Sequence, residues 1–235
     1  MLNQNSLARI SVFGDSILKG VLYQDGKYEV NRRWQQSFSE DFGIPVENHS
    51  RFGNTIQKMM PTLRRICGEP ATEPEVALLE LGGNDCDYNW GAIAEAPEGM
   101  YHCKTAPEQF VASYREAVSL LRQSGREPVA LTLPPILSER YLDFICSKGP
   151  SREKILEWLG DVNEISLWQR TYSTLVRLVA KEEQVRLIDL QRCFPRDPRD
   201  LERLIGPDGI HPSPIGQQLI YDVLCGEARK ALAFV

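Results

Sequence analysis

Two segments of the sequence carry the side chains that acyl transfer needs for nucleophilic attack. Ser16 ends the short motif Gly14-Asp15-Ser16, and Asp208 precedes His211 by three residues near the C-terminus. A serine hydroxyl attacks a carbonyl when a histidine takes its proton, and a carboxylate bonded to the other imidazole nitrogen fixes the histidine tautomer. We therefore predict Ser16 as the nucleophile, His211 as the base and Asp208 as the group that orients the base.

Two further segments hold small and polar residues suited to bind the oxyanion that forms in such a reaction. One contains Gly53, and the other is Gly82-Gly83-Asn84-Asp85. Oxyanion donors must point at the developing negative charge, and a glycine lets the backbone approach a substrate closely because it has no Cβ. The predicted donors are the backbone N–H groups of Ser16 and Gly53 and the side-chain amide of Asn84.

These segments meet only if the fold brings them to one edge. Apolar runs bounded by turn formers predict strands at residues 10–13, 44–48, 76–81, 129–133 and 185–190. Helical periodicity predicts helices at residues 33–42, 55–66, 107–122, 162–181 and 214–232. This alternation favours an α/β fold, a doubly wound parallel sheet covered on both faces, with the flavodoxin-like order 2-1-3-4-5. The carboxyl ends of the first three strands then lie within about 10 Å of one another.

The chain of 235 residues shows no linker or internal repeat, which predicts a single domain over residues 1–235. Two stretches, at about 86–104 and 134–160, do not fit the alternation and are predicted as loop insertions. Each follows the carboxyl end of a strand, so both are expected to overhang the site. The first brings Tyr88 and Trp90, which with Asp15 are candidate substrate contacts; the aromatic rings suit stacking on a sugar ring or an acyl chain.

Composition and charge disfavour several classes of partner. A net charge of −5 without a Lys/Arg cluster disfavours nucleic acid. No apolar run approaches the roughly 18 residues of a membrane helix, and no leader pattern opens the chain, so a cytoplasmic protein is expected. The three histidines lack metal-ligand spacing, and no metal or cofactor is predicted. The sequence indicates no oligomeric state.

Taken together, the segments resemble the four sequence blocks of the SGNH (GDSL-type) hydrolase superfamily. The resemblance rests on Gly14-Asp15-Ser16, Gly53, Gly82-Gly83-Asn84-Asp85 and Asp208-Gly209-Ile210-His211, and it spans residues 10–213. It implies a three-layer αβα sandwich and ester hydrolysis without a metal, with the same roles for the five site residues. The second block departs from the family pattern, because Arg51 and Phe52 stand where smaller residues are usual.

The expected function is a serine esterase that hydrolyses small acyl esters through an acyl-enzyme, with O-acetyl groups on a carbohydrate as the favoured substrate. A lysophospholipase or an acyl thioesterase is an alternative of the same chemical class. A flavodoxin-like binding module is a further alternative, although the first loop lacks a Gly/Ser/Thr-rich run to wrap a phosphate. A hydrolase-fold protein without activity is the last, and the intact set of five residues argues against it.

Overall fold

A computed structural model of the chain describes residues 7–233. Strands and helices alternate along most of it. Their order is β1 (Arg9–Gly14), α1 (Ser16–Lys19), β2 (Val21–Gln24), β3 (Lys27–Val30), α2 (Arg33–Phe42), β4 (Val46–Asn48), α3 (Ile56–Cys67), β5 (Glu75–Glu80), α4 (Trp90–Glu95), α5 (Pro107–Gln123), β6 (Arg126–Leu131), α6 (Ser138–Cys146), α7 (Arg152–Leu159), α8 (Glu164–Glu182), β7 (Arg186–Ile188), α9 (Leu190–Cys193), α10 (Pro198–Leu204) and α11 (Pro214–Ala233).

The central sheet has five parallel strands in the order β4-β1-β5-β6-β7. Numbered among the parallel strands alone, this is the predicted order 2-1-3-4-5. The register pairs Gly14 at the end of β1 with Glu80 at the end of β5, so these two strands end side by side. The residues that follow them therefore meet at one edge of the sheet, which is where open α/β sheets bind their ligands.

Helices cover both faces of the sheet, which makes the molecule a three-layer αβα sandwich. Successive side chains of a strand point to opposite faces, so Phe13 and Leu79 pack under α3, α5 and α8, whereas Val12 and Leu78 pack under α2 and α11. Each face buries its own apolar cluster. This explains why the strands read as nearly continuous apolar runs in the sequence.

The two stretches predicted as loop insertions contain short helices, which corrects that prediction: about a third of the first stretch and most of the second are helical. The first contains α4, and the second contains α6 and α7. Short helices of this kind depend on tertiary packing rather than intrinsic propensity. They obtain it from a third apolar cluster shared by both stretches and the start of α8, formed by Trp90, Ile93, Ala94, Leu142, Ile145, Ile155 and Ile165.

An antiparallel hairpin of β2 and β3, which the periodicity did not predict, follows α1. Its turn residues Asp25 and Gly26 both have positive φ, 49° and 75°. A two-residue turn with positive φ at both positions has the twist that joins hairpin strands well, and Asp-Gly is a favoured sequence for it. The hairpin carries Tyr28 to the carboxyl edge of the parallel sheet, where it lies against His211.

Candidate active site

Ser16 occupies the first position of α1, directly after β1. The Asp15 side chain accepts a hydrogen bond from the backbone N–H of Ile17 at 2.8 Å and so caps this one-turn helix. An N-cap carboxylate holds the first turn in place because it satisfies an amide that has no partner within the helix. The serine hydroxyl is thereby fixed at the edge of the sheet, where Ser16 is buried except for its face on a cavity.

Asp208 organises the loop that carries His211. One carboxylate oxygen accepts from the backbone N–H groups of Ile210 at 3.2 Å and His211 at 3.0 Å. Gly209, which follows Asp208 in the chain, has a φ of 78°, and a Cβ there would lie 2.3 Å from the backbone nitrogen of Tyr141. Only glycine fits this turn, because both the backbone conformation and the space exclude a side chain.

The three groups predicted to carry the reaction form a continuous chain of hydrogen bonds. The second oxygen of Asp208 lies 2.5 Å from His211 Nδ1, and His211 Nε2 lies 2.8 Å from Ser16 Oγ. Asp208 and His211 are both buried. A carboxylate bonded to Nδ1 keeps that nitrogen protonated and leaves Nε2 free to accept the serine proton.

The three predicted oxyanion donors line the same cavity as Ser16 Oγ. Within residues 7–233, the backbone N–H groups of Ser16 and Gly53 have no hydrogen-bond acceptor. Gly53 has a φ of 67°, a conformation that side chains disfavour, which accounts for glycine at this position. The Asn84 amide donates one hydrogen to the second Asp15 oxygen at 3.0 Å, so its other hydrogen is available.

Two buried carboxyl groups lie beneath these donors. Asp15 and Glu80 are 2% and 0% exposed, and both line the cavity from below. Burial raises the pKa of Glu80 well above its ordinary value, and the negative charge of Asp15 raises it further. Burial also raises the pKa of Asp15, against the lowering effects of the Ile17 amide and the charge of His211. We call Ser16, Asn84, Asp208 and His211, with the groups that bond to them, the polar edge.

Two aromatic rings enclose the His211 imidazole. The Phe52 ring is stacked on it with centroids 5.9 Å apart, and the Tyr28 ring meets it edge-on at 5.4 Å. Burial raises the pKa of Tyr28 to about 12, helped by the negative charge of Asp208, so its hydroxyl stays protonated at neutral pH. The two rings restrict the access of water to the histidine.

A cavity of about 410 Å³ leads away from Ser16, within the range of small-molecule sites. Its far side is built by the two stretches predicted to overhang the site and by Trp168 of α8. Asp87 joins the two stretches, because it accepts from Trp90 Nε1 and from the Tyr141 hydroxyl, each at 2.8 Å. We call this side the aromatic wall; it consists of Tyr88, Trp90, Tyr141, Trp158 and Trp168.

A model of the GDSL-like lipase/acylhydrolase family matches residues 12–219. The chain belongs to this family. As a GDSL-like acylhydrolase it is a hydrolase of the esterase and acylhydrolase class. No curated protein matches the sequence.

Solved structures share the fold of this acylhydrolase over nearly its whole length. A lipase/acylhydrolase from Enterococcus faecalis is 19% identical, with a TM-score of 0.59 over 96% of this chain and 97% of that chain. An acetylxylan esterase from Geobacillus stearothermophilus is 17% identical, with a TM-score of 0.61 over 96% of each chain. A member of the lipolytic G-D-S-L family from Veillonella parvula is 15% identical, with a TM-score of 0.64 over 93% and 97%. At such identities the likeness shows the fold alone.

The structure brings together all five residues predicted for the reaction of this acylhydrolase. The candidate substrate contacts differ from one another. Tyr88 and Trp90 belong to the aromatic wall, whereas Asp15 lies under Ser16 with both carboxylate oxygens already bonded. Asp15 is therefore better placed to support Ser16 and Asn84 than to bind a substrate.

Several cavity residues of the acylhydrolase were not found from the sequence. Glu80 lies within an apolar run predicted as a strand. Tyr28 lies in the hairpin that was not predicted, although the pair Asp25-Gly26 is typical of a hairpin turn. Between residues 7 and 233, no three His, Cys, Asp or Glu side chains are grouped to hold a metal ion. In the same part of the chain, no helix combines the length and apolar character needed to cross a bilayer.

Proposed function

We propose that the chain hydrolyses carboxylic esters through an acyl-enzyme on Ser16, with His211 as the base and Asp208 as its orienting group. The observation that carries this proposal is the continuous hydrogen-bond chain, with 2.5 Å from Asp208 to His211 and 2.8 Å from His211 to Ser16 Oγ. These contacts are short enough for proton transfer without rearrangement.

The proposed reaction runs in two halves at the same groups. His211 Nε2 takes the Ser16 proton as Oγ attacks the ester carbonyl, and the N–H groups of Ser16, Gly53 and Asn84 bind the oxyanion. The imidazolium then gives its proton to the departing alcohol, which leaves an acyl group on Oγ. A water molecule, deprotonated by the same nitrogen, attacks that acyl group and releases the acid.

A fluorophosphonate probe tests the nucleophile directly, because it phosphonylates an activated serine. We expect the intact chain to be labelled at Ser16, as located by peptide mass spectrometry. Ser16→Ala should abolish labelling, while Ser119→Ala, an exposed serine on α5, should leave it unchanged. Absence of labelling in the unmodified chain, together with no turnover of p-nitrophenyl acetate, would overturn the proposal and favour a binding module.

We further propose that the substrate is a small acyl ester, most simply an O-acetyl group, on a carbohydrate or a similar polar ring. The aromatic wall offers faces on which a sugar ring stacks. Two buried polar atoms of the cavity residues Trp168 and Gln169, the indole Nε1 and the amide Oε1, have no hydrogen-bond partner among residues 7–233. Both atoms lie just behind the cavity surface, so a small shift of either side chain would let sugar hydroxyls donate to the amide oxygen and accept from the indole.

A long acyl chain is the second candidate, as in a lysophospholipase or an acyl thioesterase. The apolar side chains of Ile136, Leu159 and Ile165, which also line the cavity, favour it. An alkyl chain would, however, leave the Trp168 and Gln169 atoms without a partner, whereas a polar ring could pair them. Each buried polar group left unpaired costs about 1–3 kcal/mol, which favours the polar ring.

Turnover of a series of p-nitrophenyl esters, from acetate to decanoate, separates the two candidates. The proposal for small acyl groups expects the largest kcat/KM at acetate and a steep fall by octanoate. Poor turnover of acetate with good turnover of octanoate would instead identify the long-chain activity. A panel of acetylated sugars, acetylated nucleosides and acyl-CoA thioesters then identifies the leaving group by release of acid.

A further inference from the structure

Glu80 is a buried titratable side chain at the cavity that the proposed reaction does not use. It ends β5 next to Gly14 of β1, lies under the polar edge and is fully buried. Neither of its carboxyl oxygens accepts a well-formed hydrogen bond within residues 7–233. Burial and the charge of Asp15 raise the pKa of Glu80 by more than the backbone N–H groups of Asp15 and Leu18 lower it. The Glu80 carboxyl is therefore expected to carry a proton.

Its acidic neighbour Asp15 is bonded in the opposite way. The two Asp15 oxygens accept from the Ile17 backbone N–H at 2.8 Å and from the Asn84 amide at 3.0 Å. Accepting groups of this kind favour an ionised carboxylate. The Asp15 and Glu80 side chains lie within hydrogen-bond reach of each other. Two buried carboxyl groups side by side hold one proton between them, because ionising both at neutral pH is strongly disfavoured. The pair therefore carries a single negative charge, and the charge resides on Asp15.

We propose that Glu80 is a positioning residue that stays protonated and donates a hydrogen bond to Asp15, so that Asp15 keeps one Asn84 amide hydrogen and turns the other toward the substrate oxyanion. This inference rests on the proposed function, since it concerns the Asn84 donor of that reaction. The neutral form of Glu80 also keeps a second negative charge away from the developing oxyanion. Glu80 itself touches neither the substrate nor Ser16 Oγ in this scheme.

Other titratable groups also face the pair formed by Asp15 and Glu80. His211 and Asp85 face Asp15, and Tyr114 faces Glu80. Burial raises the pKa of Asp85 to about 6, so it titrates on the acid side of neutrality. Burial raises the pKa of Tyr114, so this phenol stays neutral.

A double-mutant cycle between Glu80→Leu and Asn84→Ala tests the inference. If Glu80 acts through the Asn84 amide, Glu80→Leu should lower kcat at least ten-fold with little change in KM for p-nitrophenyl acetate. The same substitution should cost less than three-fold in the Asn84→Ala background, because the donor it serves is already gone. Equal losses in both backgrounds would show a general structural effect and overturn the inference.

Glu80→Gln keeps the fold and the neutral donor, and it guards against a failure of Glu80→Leu to fold. We expect its kcat to stay within about three-fold of that of the unmodified chain at neutral pH. At alkaline pH this variant should lack the fall in kcat that deprotonation of Glu80 would cause in the unmodified chain. The infrared spectrum of the unmodified chain minus that of Glu80→Gln at pH 8 should contain a protonated-carboxyl C=O band. A difference spectrum without this band would overturn the inference. Fluorophosphonate labelling of Ser16 distinguishes a failure of this inference from a failure of the proposed function. Intact labelling together with an additive cycle would contradict the role of Glu80 and leave the proposed reaction standing.

Discussion

The polar edge and the aromatic wall enclose the same cavity, yet they are held in different ways. In the polar edge, each functional side chain is tied to a strand end or a tight turn by hydrogen bonds, as in the bond of 2.5 Å from Asp208 to His211. In the aromatic wall, rings are held mainly by one another, as for Tyr88 and Trp158 with centroids 5.1 Å apart. This difference fits the proposed division of roles, in which the polar edge carries out the reaction and the aromatic wall selects the ester.

The largest effect is expected from breaking the hydrogen-bond chain of the polar edge. His211→Ala removes the base, and we expect kcat for p-nitrophenyl acetate to fall by roughly 10⁴-fold or more. The kcat of Asp208→Asn should fall by a comparable factor, because an amide at this position can stabilise the imidazole tautomer that cannot accept the serine proton. His102→Ala, a histidine outside the cavity, is the control and should retain full activity. A loss below 100-fold in His211→Ala would contradict the assigned base.

Loss of one oxyanion donor is expected to have the next largest effect. Asn84→Ala should lower kcat by about 10² to 10³-fold with KM little changed, because the amide bonds the transition state more strongly than the ground state. Asn89→Ala, an exposed residue that caps α4, serves as the control. A kcat within a few-fold of the unmodified chain would show that the Asn84 amide does not face the reacting carbonyl.

Asp85, which follows Asn84 of the polar edge in the chain, carries a stability penalty. Asp85 is fully buried, accepts from the Ile56 N–H at 3.0 Å, and has a pKa raised by burial to about 6. The folded state therefore holds a proton that the unfolded state loses near pH 4, so stability falls as pH rises from about 4 through about 6.

Asp85→Asn, which does not titrate, isolates this penalty. Its free energy of unfolding should exceed that of the unmodified chain by on the order of 2 kcal/mol more at pH 7 than at pH 4, as measured by urea denaturation. Asp161→Asn, in an exposed turn, should show no such change with pH. A difference that is the same at both pH values would contradict the burial of an ionised Asp85.

A change in the aromatic side of the cavity should affect substrate choice without affecting the reaction. Gln169→Leu removes the unpartnered amide oxygen, and with it the bond of 2.7 Å that Nε2 donates to the Pro134 carbonyl. We expect KM for an acetylated sugar to rise about ten-fold, the loss of one buried hydrogen bond to the sugar. The kcat/KM for p-nitrophenyl acetate and the rate of Ser16 labelling should stay unchanged. Gln123→Leu, exposed at the end of α5, is the matched control. Equal losses on both esters would indicate that Gln169 acts through the fold.

The same division explains what could be predicted from the sequence. The five parallel strands and the residues that follow them have local signals, namely apolar runs, glycines and Asx residues at turns. These signals predict the sheet order, and the sheet order predicts that Ser16, Asn84 and His211 lie close together. The wall depends on contacts between stretches far apart in the chain, such as Asp87 with Tyr141. Hydrophobic periodicity does not show contacts of this kind. The sequence therefore does not predict α4, α6 or α7, and it does not indicate that Trp158 and Trp168 line the cavity.

Tyr28 tests where the boundary between the two regions lies, because it belongs to neither a strand end of the parallel sheet nor the wall. Its ring meets His211 edge-on at 5.4 Å, and its hydroxyl has no hydrogen-bond partner within residues 7–233. Ring packing alone predicts that Tyr28→Phe retains kcat within about two-fold on p-nitrophenyl acetate, and that Tyr28→Ala loses several-fold because water gains access to the imidazole. A ten-fold loss in Tyr28→Phe would mean instead that the hydroxyl bonds the substrate, and the hairpin would then belong to the polar edge.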